Sequence, residues 1–290
     1  MIFGVDTASV AGNTNVSWTR AKAEGPISFV FIRSNWGIKP DRFFEREWDR
    51  MKAAGLVAGA YMFLRFRTDK HGAAPSPRAQ AEAMVDIVKD RIEPGKDFPP
   101  ALDVEFPGKG AVETRMTAAQ LLDGVREAWN VLKDEFGAAP IVYTSGRVWR
   151  EDLKNLPAPD LTDSPLWLAR YPFKAGKPAI RDAVRAAKVD PPVPTPWGDK
   201  NAWFIHQYQG DAIDMPGFPT GNVDMDRFNA VASADRGGHV EWIQRRLGMS
   251  SRSGKFDAQT EAEVRRFQQT ARLTVDGVVG PRTFAALSWH

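Results

Sequence analysis

Short apolar segments alternate with amphipathic ones over the first two thirds of the chain, and this alternation constrains the fold most. Strands that alternate with helices favour a parallel sheet, and eight strands favour a closed barrel. A doubly wound open sheet is the alternative, although no Gly-x-Gly-x-x-Gly follows the first strand, which disfavours a dinucleotide-binding version. The eight predicted strands are Ile2–Asp6, Ile27–Arg33, Val57–Leu64, Pro100–Glu105, Pro140–Thr144, Leu166–Arg170, Ala202–Tyr208 and Asn222–Asp226.

Helix signals are strong early in the chain and weak later. Ser76–Pro77 places an N-cap residue before a proline at the first helical position. Thr117–Gln120 has the pattern of a capping box, and Gly137 ends that helix about five turns later. After Leu166 helical patterns fade. We therefore predict an α/β barrel with eight strands and fewer helices than strands.

The strongest chemical signal is a pair of carboxylates at the end of the fourth predicted strand. Alternate strand residues face the same side, so Asp103 and Glu105 point together while Leu102 and Val104 face an apolar side. Like charges this close raise the pKa of one member, which keeps a carboxylic acid protonated for general acid catalysis. Glycoside hydrolysis uses such pairs. Two solvated acids at a strand end are the alternative interpretation.

Further acids and aromatic residues fall at matching places. Asp6 ends the first strand and Asp224 lies in the last, so in a parallel barrel, whose strand C-termini share one face, these acids would converge with the pair. An aromatic cleft with acids at its base suits a sugar polymer. We assign Phe63 and Trp203 to the core, and we predict that five residues line or rim the cleft: Tyr61, Tyr143, Trp167, Tyr171 and Gln207.

With these motifs in order, residues 1 to about 230 resemble the glycoside hydrolase family 25 muramidases, the Chalaropsis-type lysozymes. A single triplet would be weak support, whereas the ordered set is specific. The matching stretches are Gly4-Val5-Asp6-Thr7-Ala8-Ser9, Phe31-Ile32-Arg33, residues 53–61, Leu102-Asp103-Val104-Glu105, Val142-Tyr143-Thr144-Ser145, Leu166-Trp167-Leu168-Ala169, His206-Gln207-Tyr208 and Val223-Asp224.

The resemblance implies an incomplete β/α barrel that cleaves the β-1,4 bond between N-acetylmuramic acid and N-acetylglucosamine. It implies that Glu105 is the general acid and that Asp103 is its partner, orienting the N-acetyl group of the substrate. Asp6 and Asp224 match the two supporting acids of the cleft. Arg33 stands where the family frequently has lysine, and we predict that it also contacts substrate.

The end of the chain differs in charge and pattern. Residues 236–290 hold nine basic and five acidic residues, a net charge of +4 that leaves −1 for the rest. Three helical stretches and Asp276-Gly277-Val278-Val279-Gly280-Pro281-Arg282-Thr283 resemble the small three-helix peptidoglycan-binding domain of wall hydrolases. We predict a catalytic domain over 1–230, a linker over 231–238 and a wall-binding domain over 239–290. A three-helix nucleic-acid binder is the alternative for this region.

Several sequence features that are missing limit the possible cofactors and the possible location of the protein. The chain has no cysteine, and its four histidines (His71, His206, His239 and His290) lack metal-ligand spacing, so we expect neither a metal nor another cofactor. No apolar run could span a bilayer, and the sequence opens without a secretory signal. These features, with the resemblance, predict a phage-type endolysin. Such an enzyme is made in the host cytoplasm and reaches the wall once the membrane is opened.

We expect peptidoglycan as the partner, no nucleic acid, no membrane insertion and a monomer. Two other functions stay open. A catalytically silent wall-binding or virion structural protein is disfavoured because all four acids are present. A chitinase-like hydrolase is disfavoured because the longer Asp-x-x-Asp-x-Asp-x-Glu pattern is missing before Asp103.

Overall fold

The computed structural model describes residues 1–13, 15–66, 75–106, 116–182, 190–198, 201–219 and 221–290. Within them, eight strands close into a barrel and a two-residue strand extends one edge. The strands are β1 (Ile2–Thr7), β2 (Ile27–Trp36), β3 (Lys39–Pro40), β4 (Val57–Phe63), β5 (Ala101–Asp103), β6 (Ile141–Thr144), β7 (Leu166–Ala169), β8 (Trp203–Ala212) and β9 (Val223–Phe228). Each of the eight predicted strands is present, and β3, which pairs only with the end of β2, was not predicted.

The barrel is not all-parallel as we assumed from the alternation. Strands β1, β2 and β4 to β8 run parallel, whereas β9 pairs antiparallel with both β8 and β1 and closes the ring between them. The described residues between β8 and β9 include no helix, so the chain returns directly and reverses direction. Asp224 therefore reaches the C-terminal face of the barrel from the start of its strand, opposite Asp6.

Four helices cover the outside of the barrel: α1 (Trp18–Glu24), α2 (Phe44–Ala53), α3 (Pro77–Val88) and α4 (Ala118–Phe136). Predicted caps are confirmed, because the Ser76 side chain accepts from Ala79 N and Thr117 forms a capping box with Gln120. After β6 the described connections between strands hold only short helical turns, and the sequence predicted this fading for the part after Leu166. None of the described helices is long and apolar enough to span a bilayer.

The barrel interior is a packed aromatic core and not a pore. Phe29 and Phe31 project inward from β2, and a Cβ added to Gly4 or Gly59 would lie 2.3 Å from their rings. Small residues on the neighbouring strands thus make room for the rings. Phe31 stacks on Phe98 at 5.0 Å between ring centroids, so the centre of the barrel is filled below the level of the acids.

Three helices follow the barrel: α5 (Gly238–Arg246), α6 (Ala258–Thr270) and α7 (Pro281–Ser288). We call residues 236–290 the helical unit. Its two halves repeat one device, a buried glutamine whose side chain holds the next turn. Gln244 accepts from Gly254 N and donates to Thr260, whereas Gln268 accepts from Gly277 N and donates to Thr283.

The helical unit packs against the end of the barrel opposite to the strand C-termini. Phe284 of α7 is fully buried, with its ring 4.6 Å from Phe204 and 5.7 Å from Phe98 between centroids. Trp289 Nε1 donates to Asp97 O at 2.8 Å. The barrel interior and the helical unit therefore share one apolar core, which closes the lower end of the barrel.

The segment 231–238 is fixed within this contact. Val231 forms a bridge with Val279, and Arg236 forms a bridge with Lys255. Asn201 Nδ2 also donates to Arg236 O at 2.9 Å. The separation into a catalytic domain, a linker and a wall-binding domain stays a prediction, with the added observation that the segment predicted as linker is bonded on both sides.

Candidate active site

A cleft of about 420 Å³ opens at the C-terminal face of the barrel, within the usual range for ligand sites. Residues of β1, β2 and β4 to β9 supply its walls. All four predicted acids line it, together with most of the predicted binding residues: Asp6, Asp103, Glu105, Asp224, Arg33, Tyr61, Tyr143, Trp167 and Gln207. Tyr171 stands at the rim, where half of its surface is exposed and its hydroxyl donates to Gln207.

Asp103 and Glu105 share the side of the cleft formed by β5. Asp103 is buried, with only 4% of its surface exposed, whereas Glu105 lies past the strand end and is more open to the cleft. Leu102 and Val104 face the apolar layer under the helices, so the predicted alternation is confirmed. Asp103 Oδ1 is buried and has no hydrogen-bond partner among the described residues.

Burial raises the pKa of both carboxyls. Burial and then the charge of Glu105 raise the pKa of Asp103 well above its usual value. Burial raises the pKa of Glu105, and the Arg147 guanidinium partly opposes the rise. The two carboxyls therefore lose their protons in two separate steps, and the pair resists losing both.

Gln207 links the acids of β1 and β9 to the tyrosines. Its amide nitrogen donates to Asp6 Oδ2, and more weakly to Asp224 Oδ2 at 3.3 Å. Its amide oxygen accepts from Tyr143 OH at 2.7 Å. A glutamine can do both because it carries a donor and an acceptor. Burial raises the pKa of Asp224 to about 6 and that of Asp6 well above its usual value.

Asp226 lies beneath these acids and was not among the predicted site residues. It is fully buried, accepts from Trp167 Nε1 at 2.8 Å, and its charge is a cause of the raised pKa of Asp6. Burial, followed by the charge of Asp224, raises its own pKa. The spacing Asp-x-Asp in β9 was the available signal, because residues two apart in a strand face the same side.

Phe63 and Trp36 both lie in the cleft, which differs from the prediction. The assignment of Phe63 to the core was wrong: it lines the cleft and stacks on Trp36 with 4.2 Å between ring centroids. Trp36 was overlooked because β2 was expected to end at Arg33, and an irregularity between Arg33 and Asn35 then turns Trp36 to the cleft side. Trp203 is buried in the core, as expected.

Arg33 is held low in the cleft wall by an ion pair. Its Nη2 lies 2.9 Å from Asp41 Oδ2, and both side chains are almost fully buried. No three His, Asp or Glu side chains are grouped as metal ligands would be within the residues that the structure describes. His71 lies outside them. His206 is buried, and burial lowers its pKa to about 4, so it is neutral and hydrogen-bonded to the backbone of Arg170.

Sequence comparison supports both regions. The family described as Glycosyl hydrolases family 25 matches residues 5–217, and a putative peptidoglycan binding domain matches residues 236–287. An uncharacterized protein named YegX from Escherichia coli strain K12 is 29% identical over 146 residues, which is 50% of this chain and 46% of that protein. This chain thus spans about half the length of the YegX relatives. An autolytic lysozyme of Clostridium acetobutylicum is 25% identical over 98% of this chain and 78% of its own length.

Solved structures share the fold. A bacterial lysozyme from Streptomyces coelicolor superposes with a TM-score of 0.62 at 22% identity, over 79% of this chain and 92% of that one. A muramidase from Acremonium alcalophilum gives 0.59 at 24% identity, over 79% and 94%. At these identities the likeness establishes the barrel fold. Because the family match covers most of the chain, including β5 and its acid pair, this protein belongs to glycosyl hydrolase family 25.

Proposed function

We propose that this protein hydrolyses the β-1,4 bond between N-acetylmuramic acid and N-acetylglucosamine in peptidoglycan. One observation carries the proposal: four acids from three separate strands surround a single aromatic-walled cleft at the C-terminal face of the barrel. The family membership and the match of residues 236–287 to a peptidoglycan-binding domain support the choice of polymer.

Glu105 is the general acid in this proposal. It is the more open member of the pair, so it can reach the glycosidic oxygen, and burial keeps its pKa raised. It donates a proton to that oxygen as the bond from C1 of N-acetylmuramic acid breaks. Water then supplies a hydroxyl to C1, and its remaining proton restores Glu105.

Asp103 positions the substrate in this proposal. Its Oδ1 is a buried acceptor that lacks a partner among the described residues, and such atoms are costly to leave unpaired. An N-acetyl amide N–H is a donor of the right kind. Asp6 and Asp224, held by Gln207, would stabilise the positive charge that develops on the sugar ring when they are ionised.

The helical unit would hold the wall while the cleft cuts it. Its positive charge suits an anionic polymer, and we propose that the protein acts as an endolysin made in the cytoplasm. We further propose that it works as a monomer.

The test compares the unmodified protein with Glu105→Gln on purified peptidoglycan. We expect turnover to fall by at least about 10²-fold, because the amide cannot donate the proton. Glu135→Gln, on the outer surface of α4, is the matched control and should retain full activity. Mass spectrometry of the products should find new reducing ends on N-acetylmuramic acid.

Other outcomes separate the alternatives. Near-normal lysis by Glu105→Gln would show that Glu105 is not the general acid. Binding to peptidoglycan without any new reducing ends, in the unmodified protein, would indicate a catalytically silent wall-binding protein. New reducing ends on N-acetylglucosamine would contradict the proposed bond.

A further inference from the structure

One end of the cleft combines an exposed aromatic ring with positive charge. Trp36 lines the cleft, and 38% of its surface remains exposed although Phe63 stacks on it. The guanidinium carbons of Arg33 and Arg65 lie 5.1 Å and 5.6 Å from the Trp36 ring centroid. We call Trp36, Phe63 and Arg65 the β2–β4 platform.

Of the two arginines, Arg65 is the better candidate for an ion pair with a ligand. Arg33 is paired with buried Asp41. Arg65 is half-buried and forms no ion pair with any residue that the structure describes. Cation–π contact with Trp36 orients a guanidinium but leaves its N–H donors for a ligand.

The platform is fixed before any ligand arrives. Gln80, fully buried on α3, accepts from Arg65 N at 2.9 Å and donates to Arg65 O at 2.8 Å, so both backbone groups are held. The Arg65 stem passes close to the turn after Trp36, since a Cβ added to Gly37 would lie 3.3 Å from Arg65 Cδ. Gly37 N donates to Phe63 O at 3.1 Å. Pre-organisation of this kind lowers the entropy lost on binding.

The rest of the cleft is acidic, and this asymmetry decides what the platform binds. Asp6, Asp103, Glu105 and Asp224 line the other walls. An anionic substituent on a sugar would be repelled there and attracted by the Arg65 guanidinium. A pyranose ring against Trp36 would bring such a substituent toward Arg65.

We propose that the β2–β4 platform is a subsite for a sugar that carries a carboxylate, with Arg65 selecting acidic glycans over neutral ones of the same ring type. This rests on the proposed function, because it concerns the same cleft. The carboxylate has two sources in peptidoglycan: the lactyl group of N-acetylmuramic acid without peptide, or the acidic residues of an attached stem peptide.

Binding is measured first, so that the test does not depend on catalysis. The full chain carrying Glu105→Gln is titrated with three glycans: N-acetylglucosamine oligomers, peptide-free peptidoglycan strands and peptide-bearing strands. Arg65→Gln in this background should weaken binding of an acidic glycan roughly 3- to 10-fold and leave the neutral oligomer unchanged. Arg65→Lys should recover part of the loss. Loss on peptide-free strands identifies the lactyl carboxylate, and loss on peptide-bearing strands alone identifies the stem peptide.

Two further variants complete the design. Trp36→Leu should weaken binding of neutral and acidic glycans alike, because ring stacking does not depend on charge. Arg20→Gln, on the outer helix α1, changes net charge equally and should change nothing. Equal losses on neutral and acidic glycans for Arg65→Gln, or no loss on any acidic glycan, overturn the proposal. The unmodified protein, assayed for new reducing ends on the same glycans, tests the proposed function separately.

Discussion

Removal of the Phe284 ring tests whether the barrel and the helical unit fold as one body. Phe284 is fully buried, and its ring centroid lies 4.6 Å from Phe204, 5.3 Å from Trp242 and 5.4 Å from Phe228. A buried Phe→Ala change destabilises by about 3–5 kcal/mol. The upper half of that range applies here, because rings fixed on β8 and β9 cannot collapse into the cavity.

The assay is thermal unfolding followed by calorimetry and by tryptophan fluorescence. At about 2–4 °C per kcal/mol for a chain of somewhat smaller size, Phe284→Ala should lower the midpoint by roughly 10 °C in a single transition. Val275→Ala, at a position 48% exposed, is the control and should lie within about 0.5 kcal/mol of the unmodified protein. Two transitions, with the larger one unshifted, would refute the shared core.

This contact also limits how wall binding can be tested. A truncation after Val231 would remove the helices that cover Phe98, Phe204 and Phe228, and these rings would become exposed. A loss of lysis by the truncated protein could then result from misfolding as well as from lost binding to the wall. Exposed basic residues of the helical unit, such as Arg272, are better targets, and salt should weaken their contribution.

Three other predictions follow from the buried polar groups. Asp103→Asn removes the negative neighbour of Glu105, so the apparent pKa of the remaining carboxyl should fall. The alkaline limb of the pH–rate profile should then move to lower pH, and an upward move would contradict the coupling of the two carboxyls. Burial raises the pKa of Asp226, so the stability it contributes is present at low pH and is lost as the pH rises through the raised value. Asp226→Asn should therefore reduce the fall in melting temperature as the pH rises above the range in which an ordinary aspartate titrates, and an unchanged fall would contradict the raised pKa. Gln268→Leu removes the acceptor of the buried Gly277 N and should cost about 1–3 kcal/mol in chemical denaturation. A neutral effect would show that the turn does not need this hydrogen bond.

The sequence predicts the barrel well because its signals are local. Strand–helix alternation, caps and the alternation of Leu102, Asp103, Val104 and Glu105 all act within a few residues. The direction of β9 is different, because it depends on which neighbours it pairs with. The convergence of the acids was expected from an all-parallel barrel, and it is found because antiparallel β9 brings the start of its strand, with Asp224, to the cleft.

The correction at Trp36 has a specific structural cause. Trp36 follows an irregularity in β2, and one shifted residue exchanges the faces of all those that follow. No pattern in the sequence marks that shift. The packing of α7 against the barrel could not be predicted from local patterns either. The sequence around Phe284 is equally consistent with packing against its own helices and with packing against Phe204.

The position of the helical unit at the lower end of the barrel has a consequence for how a polymer would be cut. If that unit holds wall polymer, the strand it grips and the strand in the cleft lie at opposite poles of the molecule. The enzyme would then not travel along the chain it cleaves. Breaks would fall at scattered points across a cross-linked mesh, and early digests would contain fragments of many lengths with few short ones.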